Sequence, residues 1–280
     1  MRSPRHYLKK HYGEWRIAGR RRELEREIGE GLGKPLTLSL YGDGGNDSIY
    51  LARTATENVA VVRLDNPYKG GFLRWRTLRA ALRSKTKNRS IANQDRYVAL
   101  NREWEQYEQL ADSGVTPRPL WRTTDATVVS CLPGRRMHRL LAGLPPAEWG
   151  PWMDTAFGAL ARFHEFDMAH LDAKASNIIL DEASHAAFFI DLGRFGDCYG
   201  SLAQQKTFDY LKLLSSLLQI APGRMLQDGK PWLSAVAPHV PPEVRQADKR
   251  PLMKQRSIRH LERCHLVRRA LAPVLPGIES

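Results

Sequence analysis

The chain is poor in the features that mark secreted, zinc-binding and membrane-spanning proteins. Its 280 residues include three cysteines, Cys131, Cys198 and Cys264, odd in number, far apart and without CxxC spacing. A disulfide framework and a structural zinc site are both excluded as organising principles, and a reducing compartment fits best. Long hydrophobic runs are missing too. Stretches such as Ala186–Ile190 fall far short of the roughly 20 residues that a membrane helix needs. The start, MRSPRHYLKKHYGEW, has basic residues with no apolar run behind them, so a cleaved secretory signal is not expected. The expected place is the cytoplasm. No repeat period or low-complexity linker breaks the chain.

Negative charge is also scarce, at 30 Asp+Glu against 43 Lys+Arg, a net +13. Such an excess invites a nucleic-acid reading, so its distribution matters. Residues 1–30 carry nine basic and five acidic groups, residues 63–102 eleven and two, and residues 245–269 nine and two. The stretch 103–244 carries twelve against seventeen and is net acidic. Neither zinc-finger spacing nor an aromatic RNA-binding signature accompanies the basic patches, so no nucleic-acid partner is expected.

From Leu36 the sequence reads LTLSL, the turn YGDGGNDS, IYLART, a polar turn and VAVVRL. Three β-like runs between turn residues predict an antiparallel meander. Between Lys69 and Leu110 the period becomes helical, with Phe72, Trp75, Leu78 and Leu82 on one face among arginines. Asp112–Pro119 ends it. A β-branched run, Thr127–Leu132, then precedes Pro133-Gly134, and helical patterning returns over Trp149–Met168. Strands first and helices later predict an α+β protein with a small antiparallel sheet lobe and a mainly helical lobe. The expected division is a basic extension over 1–30, a sheet lobe over 31–132 and a helical lobe over 133–280. In the last, Leu252, Ile258, Leu261 and Leu266 are expected to complete the helical core.

The most informative stretch, His170 to Phe195, reads HLDAKASNIILDEASHAAFFIDLGRF. It holds His170-x-Asp172-x-Lys174-x-x-Asn177, the apolar triplet Ile178–Leu180, a turn, the apolar run Ala187–Ile190 and Asp191-Leu192-Gly193. Singly these are ordinary: a lone His-x-Asp is a common surface turn, and a lone lysine is a solvated charge. In this order, at the ends of two consecutive apolar runs, they resemble the catalytic and metal-binding loops of the protein-kinase-like phosphotransferases. Moving a γ-phosphoryl group needs a carboxylate beside the acceptor hydroxyl, oxygen ligands for Mg²⁺ and cations on the phosphoryl oxygens.

The resemblance implies a bilobal kinase-like fold and an ATP- and Mg²⁺-dependent enzyme. Asp172 is then the base, Lys174 lies on the γ-phosphate, His170 braces the loop, and Asn177 and Asp191 are the metal ligands. Upstream, Gly42, Gly44 and Gly45 sit where backbone amides would cover phosphates, without the GxGxxG pattern, and Arg63 stands where the family's phosphate-binding lysine is expected. Glu103 is the positional match for the glutamate that pairs with that cation, with Glu105 and Glu108 as competitors. Val129–Leu132, Cys131 included, falls at the adenine-holding hinge, and Asp209 resembles the residue that anchors the catalytic loop.

Two further segments, VVRLDNPYKGGFLRWRTLRAALRSKTKNRS and ALNREWEQYEQLADSGVTPRPLW, resemble the lipopolysaccharide core kinases, the Kdo and heptose kinase family of Gram-negative bacteria. With the catalytic segment, the resemblance covers about Thr37 to Leu218. It implies a sugar hydroxyl of an anionic glycolipid as acceptor, phosphorylated at the cytoplasmic face of the inner membrane. Only eighteen residues separate Asp191 from Asp209, without an A-P-E sequence, which leaves no room for a long activation segment. Lys174 is the residue that protein Ser/Thr kinases show, so a protein acceptor stays open; Arg63 and the irregular glycine loop leave open a catalytically idle scaffold. The amphipathic stretch from Phe72 to Leu82 has two readings, a face packed on the sheet or a helix lying on an anionic membrane surface.

Overall fold

The computed structural model describes residues 17–44, 47–65, 96–192, 200–221, 223–226, 228–253 and 255–279. The chain divides into two units, one formed by 1–105 with 118–131 and the other by 106–117 with 132–280. The fold is α+β: a five-stranded antiparallel sheet dominates the first unit and helices dominate the second.

In the first unit, helix α1 (Ala18–Leu32) ends at Gly33, whose positive φ of 64° lets its N–H turn back to Glu30, a conformation that glycine adopts without a Cβ penalty. Strands β1 (Thr37–Gly44), β2 (Asp47–Arg53) and β3 (Asn58–Asp65) form the expected meander. Two later strands, β4 (Pro119–Arg122) and β5 (Ala126–Ser130), complete the order β1-β2-β3-β5-β4. Alternation places Tyr50, Ala52, Ala60, Val62, Leu64, Ala126 and Val128 on the buried side, where Leu24 and Ile28 of α1 cover them.

Two polar contacts fix the helix on the sheet. Glu25 Oε1 accepts the Leu38 N–H at 2.8 Å. The Arg20 guanidinium forks onto both Asp125 oxygens at 2.9 Å. Residues 17–30 of the segment expected as an extension therefore contribute to the sheet's core. Helix α2 (Arg96–Gln109) follows; the expected helical face of Phe72, Trp75, Leu78 and Leu82 lies outside the described residues.

In the second unit, β6 (Arg135–Arg136), β7 (Ile178–Asp181) and β8 (Ala186–Phe189) make a small antiparallel sheet. Gly134 precedes it at φ 97°, and a Cβ there would run into the Leu180 carbonyl, so this approach requires glycine. Helix α3 (Met137–Ala142) follows β6, and α4 (Trp149–His164) buries Trp149, Met153, Phe157, Leu160 and Phe163 at helical spacing. Helix α5 (Leu202–Ile220) starts from a Ser201–Gln204 capping box.

Two expectations need correction. The helix expected over 149–168 stops at His164, because the chain turns there into the loop that carries the site. Leu252, Ile258 and Leu261 are buried, but Leu266 is 48% exposed, and Val267 and Leu271 point inward instead. The helix that carries them, His265–Leu271, has seven residues, too few for a 3.6-residue period to fix its phase from sequence. Among the described residues no helix is long and apolar enough to cross a membrane.

Candidate active site

The loop from His170 to Asn177 joins α4 to β7, and buried groups set its path. Asp209, fully buried on α5, accepts the N–H of His170 at Oδ2 and of Leu171 at Oδ1, both at 2.7 Å. Two successive N–H groups converging on one carboxylate explain why Leu171, a bulky residue, takes a φ of 59°. Such left-handed backbone is strained and persists only where the surroundings over-determine it. His164, at the end of α4, adds a third contact, with Nε2 at 3.1 Å from Asp209 Oδ2.

His170 is 3% exposed and braces the loop in turn. Its Nε2 lies 3.0 Å from the Ile190 carbonyl, and its Nδ1 receives the Asp172 N–H at 3.3 Å. A carbonyl can only accept and an amide N–H can only donate, so the ring is fixed with its proton on Nε2. Both ring nitrogens are committed to backbone.

Asp172, 5% exposed, stands at the centre. Its Oδ2 receives Lys174 Nζ at 2.5 Å and Asn177 Nδ2 at 3.0 Å, and the Asn177 amide also donates to the Asp172 carbonyl at 3.1 Å. Lys212 of α5 brings its Nζ to 3.7 Å from Oδ1. Burial lowers the Lys212 ammonium from its ordinary range, and the neighbouring Asp172 charge works against that shift. Sequence reasoning missed Lys212 and His164. The available signals were spacing: Lys212 lies three residues after Asp209, one helical turn on the same face, and His164 six residues before His170.

The β7–β8 pairing places the two expected metal ligands. Ile190 N–H donates to the Asn177 carbonyl at 2.9 Å, extending the ladder by one step, and Asp191 follows at φ 65°. Because the Asn177 NH₂ is turned to Asp172, its side-chain oxygen is the atom left for a cation. Among the described residues no three His, Cys, Asp or Glu side chains gather as a metal cluster. An amide oxygen and a carboxylate suit a hard cation that brings waters and phosphate oxygens of its own. The residues present fit Mg²⁺.

The first unit holds the other expected positions. Arg63, on β3 between Ile49 and Thr127, forms an ion pair with Glu103 of α2, with side chains 11% and 5% exposed. Glu105 and Glu108 are exposed. Gly42 and Gly44 belong to the end of β1 as it turns toward β2, beside a register shift between Leu40 and Gly42; Gly45 lies outside the described residues. The Cys131 N–H donates to the Val59 carbonyl at 3.2 Å, extending the β3–β5 ladder, and burial raises its thiol's pKa.

No protein-family model matches the chain, and no curated protein matches it. Among solved structures, it is similar to the kinase PK-1 of the Cydia pomonella granulovirus, at 15% identity and a TM-score of 0.38, over 60% of this chain and 54% of that one.

Proposed function

We propose that this protein is an ATP- and Mg²⁺-dependent phosphotransferase that acts on a hydroxyl group, with Asp172 as the base that orients it. The observation that carries the reading is the buried Asp172 carboxylate, gripped by Lys174 and Asn177 on a loop whose backbone is held by Asp209. A carboxylate so fixed can accept a hydrogen bond from an incoming hydroxyl and take its proton as the oxygen bonds to the γ-phosphorus and the bond from that phosphorus to the departing ADP breaks. Lys174, 34% exposed at its side chain, has the length and freedom to turn from Asp172 to a phosphoryl oxygen. Asn177 and Asp191 would hold Mg²⁺, which supplies charge neutralisation on the phosphate oxygens. In this reading Arg63, kept extended by Glu103, contributes a cation to the phosphates through its planar fork.

The acceptor we propose is a sugar hydroxyl of an anionic glycolipid, the lipopolysaccharide inner core, met at the cytoplasmic face of the membrane. The resemblance of residues 61–121 to core kinases supports it, as do the basic stretches over 1–30, 63–102 and 245–269. Those patches would draw the protein to an anionic surface at about 1 kcal/mol per Lys or Arg near it.

Two measurements test the proposal. Calorimetric titration with Mg-ATP should give a saturable heat; no heat and no thermal shift would favour an idle scaffold, the reading that Arg63 in place of lysine suggests. Mass analysis of core saccharide from cells with and without the protein should differ by one phosphate. An unchanged saccharide together with a phosphorylated protein would move the acceptor to a polypeptide.

A further inference from the structure

One face of α5 carries three residues that each hold a different point of the loop. Asp209 takes the N–H groups of His170 and Leu171, Lys212 faces Asp172, and the Ser216 hydroxyl accepts the Ala175 N–H at 2.9 Å while donating to Leu213 at 2.8 Å. Residues 209, 212 and 216 recur at i, i+3 and i+7, the spacing of a single helical stripe. The stripe therefore follows the loop in register for about two turns.

The two oxygens of Asp172 are unequally supported. Oδ2 has Lys174 and Asn177 close by, whereas the cation beside Oδ1 is Lys212. The two lysines also differ in mobility. Lys174 stands on the loop with a third of its side chain exposed, and Lys212 stands mid-helix with 17% exposed. Any reaction that draws Lys174 onto a phosphate removes one of the two cations from a nearly buried carboxylate. A buried carboxylate stripped of its counter-charge is strongly disfavoured in place and turns away.

We infer that Lys212 is a positioning residue, the fixed counter-charge that keeps Asp172 aimed while Lys174 serves the phosphate. The contact stands on the structure alone; its catalytic consequence rests on the phosphotransfer reading. Rooted on a helix of nineteen residues with a capping box at its start, Lys212 cannot follow a substrate, and this fixity suits it to the role. Lys174 can be recruited because Lys212 stays behind.

The test has two arms on the full-length protein. The first is a double-mutant cycle of K212M and D172N, read by denaturant unfolding. If the two groups are paired, K212M lowers the folding equilibrium constant at least about fivefold more with Asp172 present than in the D172N background. Equal effects in both backgrounds would overturn the pairing. The second arm follows Mg-ATP turnover with water as the acceptor. K212M should lower kcat about 100-fold, as expected when a reacting group is misplaced by about 1 Å, with KM for Mg-ATP unchanged within about twofold. K212R should recover most of the loss, since it restores the charge, and a purely structural role would not show that rescue. Full kcat in K212M beside a dead D172N would overturn the inference. If the parent protein turns over no Mg-ATP at all, the phosphotransfer reading is what fails, and the unfolding cycle still decides whether Lys212 pairs with Asp172.

Discussion

Two buried charged groups, one in each unit, are held in different ways. In the first, Arg63 and Glu103 meet side chain to side chain, a strand residue against a helix residue. In the second, Asp209 bonds two backbone N–H groups and a histidine, and Asp172 has its own N–H and carbonyl drawn into the same network. A side-chain pair can be weakened while the backbone keeps its course. A carboxylate that bonds backbone sets that course, since the N–H groups it satisfies have no ladder to join.

This contrast can be broken or sharpened by substitution. The largest effect is expected for D172A, which removes the gripped group and leaves Asp209 and His170 in place. Phosphotransfer should fall by about 10³-fold or more, while the protein still folds at a lowered denaturation midpoint because Lys212 loses its partner; a turnover assay beside an unfolding curve checks both. Next comes D209A, which strips the His170 and Leu171 amides of their acceptor in a buried site. We expect about 3–5 kcal/mol lost from stability, read by denaturant unfolding, with activity lost alongside. A loss below 1 kcal/mol would show that the loop holds its path by other means.

E103Q should be milder, at about 1–3 kcal/mol, because it weakens one charge pair and keeps a hydrogen-bonding side chain of the same size. Its main signature should be weaker Mg-ATP binding by calorimetry.

The smallest effect concerns Arg20 and Asp125. Burial pushes the Asp125 carboxyl up, but hydrogen bonds from Arg20 and Thr123 outweigh it and hold the group below its ordinary value. A depressed folded pKa means that this stabilisation is present above the ordinary carboxylate range and is lost as pH falls through the folded value. D125N should therefore flatten the acid limb of the stability curve below about pH 4, with a change near neutral pH of about 1 kcal/mol or less for a pair this exposed.

Much of the first unit was legible because strands write their burial at period two. Tyr50 and Ala52, then Ala60, Val62 and Leu64, alternate with outward residues, so the meander could be read directly. Strand β4 could not, since PLWR is short, starts with proline and shows no β-branched run. In the second unit, His170, Asp172, Asn177 and Asp191 stood out because they flank two consecutive apolar runs in an order that resembles the catalytic and metal-binding loops of kinase-like enzymes. The partners that arrive from distant helices did not. Lys212 and Ser216 read as ordinary helix residues until α5 is laid against the loop, and His164 reads as the polar end of α4.

The sequence by itself determined the α+β order, the meander and the linear constellation from His170 to Asp191, because hydrophobic period and turn spacing are local properties. Tertiary structure decided for Glu103, the positional match, over Glu105 and Glu108 as the partner of Arg63, and it alone brought Lys212 and Ser216 of helix 202–220 to the loop that Asp209 anchors. Those choices depend on how elements far apart in the chain are rotated and packed, and no local pattern records a rotation.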